Sequence, residues 1–532
     1  MQLTCVVLFW HNNTILWPKK PTLALLLCVI LVKIHSTMIT LGIDIGSSSI
    51  KVSLFDVLNG KSIASVSYPP YEMQIVSVHA GWAEQDPDTW MQNMVHAIAG
   101  LKRDYAAALQ QVQAIGITYQ MHGLVLVNQL GHVLRPAIIW CDSRAVSIGQ
   151  KAFNDLSHEF CLGHLLNSPG NFTASKLSWV KQHEPEAYQK VYKFMLPGDY
   201  IAFKLTNQLV TTASGLSEGV FWDFERQSIS KELMMYYGFD EKLVPDLVET
   251  FSIQGRLTPE MASQLGMSEG IPVTYRAGDQ PNNAFSLNVL KPGEVAATAG
   301  TSGVIYGVTD VSKHDPLSRV NTFLHVNNKQ TNPRLGILFC LNSVGILNAW
   351  ARQHLLPADI SYDAMNELAA TIAEGSDGLF VMPFGNGAER MLGNKNPGAS
   401  IHNLDLLKHG KGHLLRALQE SIAYAFMYGI ELMQPLGLNL SVIRAGKANL
   451  FLSPVFTQTL SNLSGAQIEL YDTNGAEGAA RGAAIGAGFY ANAHDAFTNF
   501  AIFNRIEPQS TSQIQEHYEQ WKQLLEQLIK LK

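Results

Sequence analysis

The sequence of 532 residues has few charged side chains: they make up 15% of it, whereas hydrophobic residues make up 47%. This composition excludes an intrinsically disordered chain and provides enough apolar side chains for large cores. No long basic run is present, and the formal net charge is −6. Because nucleic-acid binding depends on clustered positive charge, we predict that nucleic acid is not a partner. The length predicts two to four domains, at about 150 residues each.

Cysteine is equally scarce, and its placement excludes two kinds of site. No two of the five cysteines form a C-x-x-C pair; they are Cys5, Cys28, Cys141, Cys161 and Cys340. A disulfide framework or a zinc site would need cysteines at close, paired spacing. We therefore predict reduced thiols and a cytoplasmic protein.

Residues 1–37 differ in character from the rest of the chain. An apolar run at 23–32 follows Lys19 and Lys20, as in a signal peptide, but no small-residue cleavage motif comes after it. The run is also shorter than the roughly 20 residues that a membrane span needs. Two interpretations stay open: a start assigned too early, with Met38 the true first residue, or a signal or membrane anchor. We predict that 1–37 is an extension outside the fold and that a membrane is not a partner.

From Met38 onward, strand-like and helix-like segments alternate, which predicts an α/β protein. Apart from a strand–turn–strand unit at 39–54, strand-like runs lie at 112–117, 137–140, 273–275, 295–298, 441–444 and 467–471. Residues 501–532 form an amphipathic segment with five apolar residues on one helical face: Ile514, Tyr518, Trp521, Leu525 and Leu528. We predict that this C-terminal helix docks on the body of the protein.

Two hydroxyl-rich turns lie about half a chain apart, each between strand-like runs. They contain Gly46, Ser47 and Ser48 in the first turn and Gly300, Thr301 and Ser302 in the second. Backbone N–H groups in such turns can converge on an anion, although a purely structural hairpin fits each turn equally well. Neither turn is a P-loop, because no G-K-[ST] follows. If the two halves of the chain are similar and face one cleft, the turns would grip phosphate from opposite sides.

Two aspartates that precede these turns in the sequence are candidate functional residues. Asp44 comes just before the first turn, and a carboxylate beside a phosphate needs a cation between them, so Asp44 is a candidate Mg²⁺ ligand. Asp279 follows the strand-like run at 273–275, where open α/β sheets place ligands. An ordinary helix N-cap is the alternative for Asp279.

A third pattern predicts packing rather than chemistry. Gly478, Gly482 and Gly486 repeat every four residues, a spacing typical of membrane helix dimers. Glu477 and Arg481 lie within the same stretch, so we predict close packing of this helix on a sheet of a water-exposed domain.

From about residue 38 to about 490, the chain resembles the FGGY carbohydrate kinases, and among them the xylulokinases. Eight segments occur in the order of that family: GIDIG, GWAEQDP, QMHG, WCDSR, FTASKLSW, LPGDY, GD and GTSG, at 42–46, 81–87, 120–123, 140–144, 172–179, 196–200, 278–279 and 300–303. No single segment is specific, but eight in order make coincidence improbable.

The resemblance implies an actin-like ATPase fold, with two ribonuclease-H-like α/β domains around a cleft. By this similarity, residues 38–284 would form the sugar-binding domain and residues 285–500 the nucleotide-binding domain. The resemblance also implies ATP and Mg²⁺ as cofactors and a small-molecule sugar as partner. A homodimer stays open as the oligomeric state.

The same resemblance assigns roles to individual positions. Asp279 matches the catalytic base of the family, and Met121 and His122 match positions that line the ketose pocket. Gln280 follows the base where xylulokinases often have asparagine, and this difference bears on the choice of sugar. Trp82 could wall the sugar site, or it could simply belong to the hydrophobic core.

The nucleotide contacts implied by the family are the two turns, Lys51, Gly446 and Asn449. The family usually has three consecutive glycines where this chain has Gly446, Lys447 and Ala448. Gly446 leaves room for adenine, whereas Lys447 would point outward or toward phosphate.

The implied activity is ATP-dependent phosphorylation of D-xylulose to D-xylulose 5-phosphate. A related kinase for ribulose, gluconate or glycerol is the nearest alternative. An actin-like ATPase that acts on a protein partner would also explain the turns and Asp44, but not the QMHG segment. An intact Asp279 disfavours a sugar sensor without catalysis.

Overall fold

The computed structural model describes residues 38–509 and 512–531, so the predicted extension at 1–37 lies outside the described residues. The strands are β1 (Ile39–Ile45), β2 (Ile50–Asp56), β3 (Lys61–Tyr68), β4 (Glu84–Gln85), β5 (Val112–Tyr119), β6 (Val125–Val127), β7 (Ala137–Ile138), β8 (Lys193–Met195), β9 (Val210–Thr212), β10 (Trp222–Asp223), β11 (Ser228–Ile229), β12 (Asp246–Val248), β13 (Gly255–Arg256), β14 (Pro272–Gly278), β15 (Glu294–Ala299), β16 (Gly303–Thr309), β17 (Asn321–Leu324), β18 (Leu335–Leu341), β19 (Phe380–Phe384), β20 (Gly398–His402), β21 (Val442–Gly446), β22 (Gln467–Tyr471) and β23 (Asn504–Ile506).

The α-helices are α1 (Pro87–Leu109), α2 (Val146–Asp155), α3 (His158–His164), α4 (Thr173–His183), α5 (Pro185–Tyr188), α6 (Pro197–Thr206), α7 (Ala213–Glu218), α8 (Lys231–Tyr237), α9 (Pro259–Leu265), α10 (Asp279–Ser286), α11 (Val344–Leu355), α12 (Tyr362–Ala370), α13 (Lys411–Met433), α14 (Pro454–Ser464), α15 (Gly475–Gly486) and α16 (Ser512–Lys530).

The first large sheet has the strand order β13-β14-β5-β1-β2-β3. In it, β14, β5 and β1 run parallel, while β2 and β3 continue as an antiparallel meander. Strand β1 reads ITLGIDI and is buried along almost its whole length. Helices cover both faces of such a central parallel strand, which explains the near-continuous apolar run.

The second large sheet repeats this arrangement in the order β17-β18-β16-β15-β21-β22-β23. Here β22, β21 and β15 run parallel, while β16 and β18 continue antiparallel. The hairpin β1–β2 therefore corresponds to the hairpin β15–β16, and the two hydroxyl-rich turns occupy equivalent places. The structure thus shows the two similar halves of the expected actin-like architecture.

Helix α15 belongs by sequence to the second half but packs against the sheet of the first. A β-carbon added to Gly42 in β1 would lie 1.7 Å from the main-chain oxygen of Ala476, and one added to Gly116 in β5 would lie 2.0 Å from that of Ala479. On the helix side, a β-carbon on Gly486 would lie 1.9 Å from the oxygen of Thr274. The predicted close packing of this glycine-rich helix on a sheet is confirmed.

Helix α15 also contacts α10, the helix that leaves the first sheet toward the second. A β-carbon on Gly478 would lie 2.5 Å from the Cβ atom of Ser286, and the Nδ2 atom of Asn282 donates a hydrogen bond to the oxygen of Gly475 across 3.0 Å. These two helices are the places where the chain passes between the two halves.

All the strand-like runs predicted from the sequence overlap with strands of the structure. Strand β18 was not predicted, because its sequence LGILFCL is a continuous apolar run without period 2, which periodicity does not distinguish from a buried helix. Strand β23, which pairs with β22, was also missed. The division at residues 284 and 285 remains a prediction.

The C-terminal helix α16 buries the predicted apolar face in the core of the second half. Ile514, Tyr518, Trp521 and Leu525 are each at most 1% exposed, and the Nε1 atom of Trp521 donates a hydrogen bond to the oxygen of Val381. Among residues 38–509 and 512–531, no helix is both long and apolar enough to cross a membrane.

Candidate active site

The first hydroxyl-rich turn closes the β1–β2 hairpin. The N–H of Gly46 donates to the oxygen of Ser49 across 3.2 Å, which defines the turn. The oxygen of Ser47 accepts a hydrogen bond from the Nε2 atom of Gln85 at 2.7 Å, and the Nε1 atom of Trp140 donates to the Ser47 hydroxyl at 3.4 Å. Ser48 is exposed at the tip of the turn. Hydrogen bonds from Gln85 and Trp140 therefore fix the turn, whereas its tip at Ser48 is exposed to solvent.

The second turn, residues 300–302, closes the β15–β16 hairpin against the start of α11. The N–H of Gly345 donates to the oxygen of Gly300 at 2.8 Å, and a β-carbon on Gly345 would lie 2.2 Å from that oxygen. The helix therefore approaches the turn as closely as its backbone allows, and Gly345 is needed for this approach. Thr301 is exposed and Ser302 is half-buried.

Asn449 and Gly446 lie near the second turn, at the end of β21. A β-carbon on Gly300 would lie 3.4 Å from the Nδ2 atom of Asn449, so this amide borders the turn. A β-carbon on Gly446 would meet nothing within 4 Å, so open space lies beside the backbone there. Lys447 is exposed, and its Nζ atom lies 3.7 Å from the centre of the Phe503 ring. Of its two predicted orientations, the outward one is observed.

Asp279 lies where β14 ends and α10 begins. The main-chain N–H groups of Met121 and Gln280 and the side-chain amide of Gln280 face its carboxylate and act to lower its pKa. Burial and the nearby charge of Asp44 nevertheless raise the pKa of Asp279 from 3.8 to about 7. A carboxylate with a pKa near neutral pH is suited to accept a proton during a reaction.

Asp44 faces the junction of α10 and α15. A β-carbon on Gly475 would lie 2.4 Å from the Oδ2 atom of Asp44 and 3.7 Å from the Nδ2 atom of Asn282. Burial raises the pKa of Asp44 to about 6, and the charge of Lys51, its partner across the hairpin, acts in the opposite direction. Lys51 therefore lies close enough to the first turn to influence both Asp44 and an anion bound there.

The predicted Mg²⁺ site can be tested against these residues. Among the described residues, no group of three His, Cys, Asp or Glu side chains could hold a metal by itself. Mg²⁺ is usually held by one or two carboxylates together with substrate phosphates and water, and Asp44 provides one such carboxylate. The half-buried Asp44 carboxylate, whose raised pKa shows that its negative charge is unfavourable there, fits this role.

Met121 and His122 follow β5 and lie beside Asp279. Met121 is 3% exposed, and His122 has a φ angle of 60°. The buried Lys176 stabilises this backbone conformation, because its Nζ atom donates to the oxygen of His122 at 2.8 Å. The ring of His122 packs against Phe172 from the first half and Phe323 from the second, at centroid distances of 4.8 and 5.4 Å.

Trp82 packs against the hydrophobic cluster that contains Met121, Phe172 and Phe323. Its ring meets that of Trp179 edge to face at 5.1 Å, and the guanidinium of Arg144 lies over both rings, 3.8 and 4.8 Å from their centres, with its Nη2 atom 2.7 Å from Asp142. Among the described residues, no ring contact or hydrogen bond joins Trp82 to Asp279 or His122. Its role at the sugar site therefore stays a prediction, and Asp142 and Arg144 form a buried ion pair.

The structure adds residues to the site that the sequence did not single out. Glu218 is buried beside Met121 and Gly278, Lys176 supports His122, and Asn282 joins α10 to α15 next to Asp44. Lys176 lies within the segment at 172–179 that carried the family resemblance, so that signal could have found it, whereas Asn282 lies three residues beyond the segment at 278–279. Glu218 carries no sequence signal, because a glutamate between a serine and a glycine is typical of any surface helix end.

Comparison with known proteins gives a consistent result. The N-terminal domain of the FGGY family of carbohydrate kinases matches residues 39–286, and its C-terminal domain matches residues 295–491. The chain is 30% identical over 456 residues to a xylulose kinase of Escherichia coli K12, covering 85% of this chain and 90% of that one.

Solved structures agree. The crystal structure of a xylulose kinase from Rhodospirillum rubrum matches with a TM-score of 0.82 and 26% identity, covering 92% of this chain and 99% of the other. A gluconate kinase from Lactobacillus acidophilus has the same fold, with a TM-score of 0.84 and 22% identity over 93% and 98% of the two chains. Because the two family domains together match most of the chain and the duplicated sheets agree with them, this chain belongs to the FGGY family of carbohydrate kinases.

Proposed function

We propose that the protein transfers the γ-phosphate of ATP, as its Mg²⁺ complex, to the terminal hydroxyl of D-xylulose, giving ADP and D-xylulose 5-phosphate. Asp279 carries this proposal. It lies at the carboxyl end of a central parallel strand, next to the QMHG segment, and its pKa of about 7 is that of an effective general base. Family membership as a carbohydrate kinase disfavours the alternative of an ATPase that acts on a protein partner.

In the proposed reaction, the terminal hydroxyl oxygen of the sugar attacks the γ-phosphorus as its proton passes to the Asp279 carboxylate. The bond between the γ-phosphorus and the bridging oxygen breaks, and ADP leaves with the bond electrons. Proton acceptance by a positioned side chain contributes about 10²- to 10⁴-fold to the rate. Mg²⁺ held by Asp44 would neutralise phosphate charge, and the N–H groups of the two turns would position the phosphates.

Lys51, Gly446 and Asn449 complete the proposed nucleotide site. Lys51 adds positive charge near the first turn, and Asn449 borders the second turn beside Gly300. The open space at Gly446 leaves room for an adenine ring against the backbone.

D-xylulose is favoured as acceptor by Met121 and His122, together with the xylulose kinase relatives. A different acceptor, such as gluconate, remains the second candidate because of Gln280. Its longer amide binds the base itself and so changes which sugar hydroxyl can approach Asp279.

The test is ADP release by the purified full chain with Mg-ATP and single acceptors: D-xylulose, L-xylulose, D-ribulose, L-ribulose, glycerol and gluconate. A reaction without acceptor controls for hydrolysis by water. Strong stimulation by D-xylulose, with product phosphate on its terminal oxygen, is expected. Stimulation by another acceptor alone would overturn the sugar assignment and leave the family intact.

A further inference from the structure

Glu218 is a buried carboxyl group beside the proposed base, and the phosphoryl transfer itself does not use it. It ends helix α7 and is 1% exposed. A β-carbon on Gly278 would lie 2.3 Å from the Oε2 atom of Glu218 and 2.5 Å from the Cγ atom of Met121. The Glu218 carboxyl and the Met121 side chain therefore both lie against Gly278, the residue that precedes Asp279.

The main chain of Glu218 makes a second contact with the same site. Its oxygen accepts a hydrogen bond from the Nδ1 atom of His122 at 2.8 Å. His122 has a left-handed φ angle of 60°, so this bond fixes the direction of a ring on a constrained backbone. Glu218 thus contacts His122 and lies, together with Met121, against the glycine next to the base.

The surroundings of the Glu218 carboxyl disfavour its charged form. The titratable groups that face it are Tyr119 from β5, Asp199 from α6, Asp279 from α10, Tyr306 from β16 and His122. The nearby cation of Arg276 pairs with Asp199, from its Nε atom to Oδ1 at 3.0 Å. Burial, with the charges of Asp279 and Asp199, raises the pKa of Glu218 well above its usual value.

The hydrogen bonding of the Glu218 carboxyl indicates that it fills space in the site rather than forming an ion pair. Its Oε1 atom is buried and has no hydrogen-bond partner of ordinary geometry, and neither has the hydroxyl of Tyr119 close to it. A buried carboxyl that only stabilised the fold would be expected to have its polar atoms satisfied.

We propose that Glu218 is a positioning residue of the acceptor site, with its side chain and its main-chain oxygen together setting the spacing between Met121, His122 and Asp279. This inference rests on the proposed function of that site. It requires a group of the size of glutamate, because a smaller one would leave space beside Gly278 and Met121.

The test compares E218A, E218Q and a matched control, E420Q, in the full chain. Glu420 is also 1% exposed but lies in the second half, where it accepts hydrogen bonds from the N–H of Gly375 and the hydroxyl of Ser376. The measurements are kcat, the KM of D-xylulose, the KM of ATP and the midpoint of thermal unfolding.

We expect E218A to raise the KM of the acceptor about tenfold and to leave the KM of ATP within about twofold. E218Q should retain both constants, because glutamine has the size of glutamate. E420Q should lower the unfolding midpoint without changing either KM. If E218A does not fold, E218D, which withdraws the carboxyl by one methylene, should show the same selective rise.

Two results would overturn the proposal: an unchanged acceptor KM in E218A, or an equal rise in E218Q and E218A, which would show that the carboxyl group itself, and not its size, is required. The acceptor panel measured with the wild-type protein tests the proposed function separately from the role of Glu218. If it phosphorylates another acceptor of the panel instead of D-xylulose, the same variants are measured on that acceptor.

Discussion

The Nδ1 atom of His122 and the main-chain oxygen of Glu218 are joined by a hydrogen bond of 2.8 Å, and this contact determines the chemistry of the ring. A carbonyl oxygen can only accept, so Nδ1 carries the proton. Burial, with the charge of Lys176, lowers the pKa of His122 from 6.5 to about 3, so the ring is neutral and Nε2 is unprotonated. In the proposed site His122 would therefore accept a hydrogen bond from a sugar hydroxyl.

Substituting H122A should raise the KM of the acceptor about tenfold or more and leave the KM of ATP unchanged, because one buried hydrogen bond is lost. Steady-state kinetics with each substrate varied in turn measures this split. In the wild-type protein, an NMR titration of the His122 ring should show no protonation step near pH 6.5, the ordinary pKa of histidine. Such a step would show that His122 does titrate and is not held neutral.

Substituting D279N should lower kcat by about 10²- to 10⁴-fold while the acceptor still binds, because an amide keeps the shape of the group but cannot take the proton. Calorimetric titration with D-xylulose measures binding independently of turnover. A near-native kcat would show that another group is the base.

The activity should rise with pH through about 7, since Asp279 accepts a proton only in its ionised form and its pKa is raised to about 7. The profile of kcat/KM against pH measures this limb. If the limb stays at the same pH in D279N, another group is responsible for it.

The stability of the folded protein should fall over the pH range in which the activity rises. The folded-state pKa of Asp279 is higher than its unfolded value, so the folded protein binds the extra proton and loses this stabilisation as pH rises from about 4 to above 7. D279N should therefore unfold at a higher temperature than the wild type at pH 8, with the difference shrinking at acidic pH. Calorimetric unfolding at several pH values checks both statements.

Substituting G475A should weaken the use of Mg²⁺, because a β-carbon there would lie 2.4 Å from the Oδ2 atom of Asp44 and displace the carboxylate. We expect the Mg²⁺ concentration for half-maximal activity to rise about tenfold. The control is G163A, an exposed helical position where a β-carbon meets nothing within 4 Å. An unchanged Mg²⁺ requirement in G475A would argue against Asp44 as a ligand.

The sequence was sufficient to predict the two hairpin turns, the position of Asp279 at the end of a strand and the close packing of the glycine-rich helix, because each has a local pattern. Asp279, for example, directly follows a strand, and Gly478 lies in a regular four-residue repeat. Glu218 could not be predicted, since its importance arises from α7 meeting β14 and β5, which are far apart in sequence. The orientation of Lys447 likewise depends on Phe503, a contact between separate segments.

The placement of α15 has a consequence for how the protein is made. Strands β1, β5 and β14 are synthesised long before the helix that covers their glycine-lined face. During translation this face of the first sheet stays without its partner until the ribosome has passed residue 486. The N-terminal half is therefore unable to complete its own core, and a gene fragment that ends between the two halves should yield an aggregation-prone product rather than a separately folding sugar-binding unit.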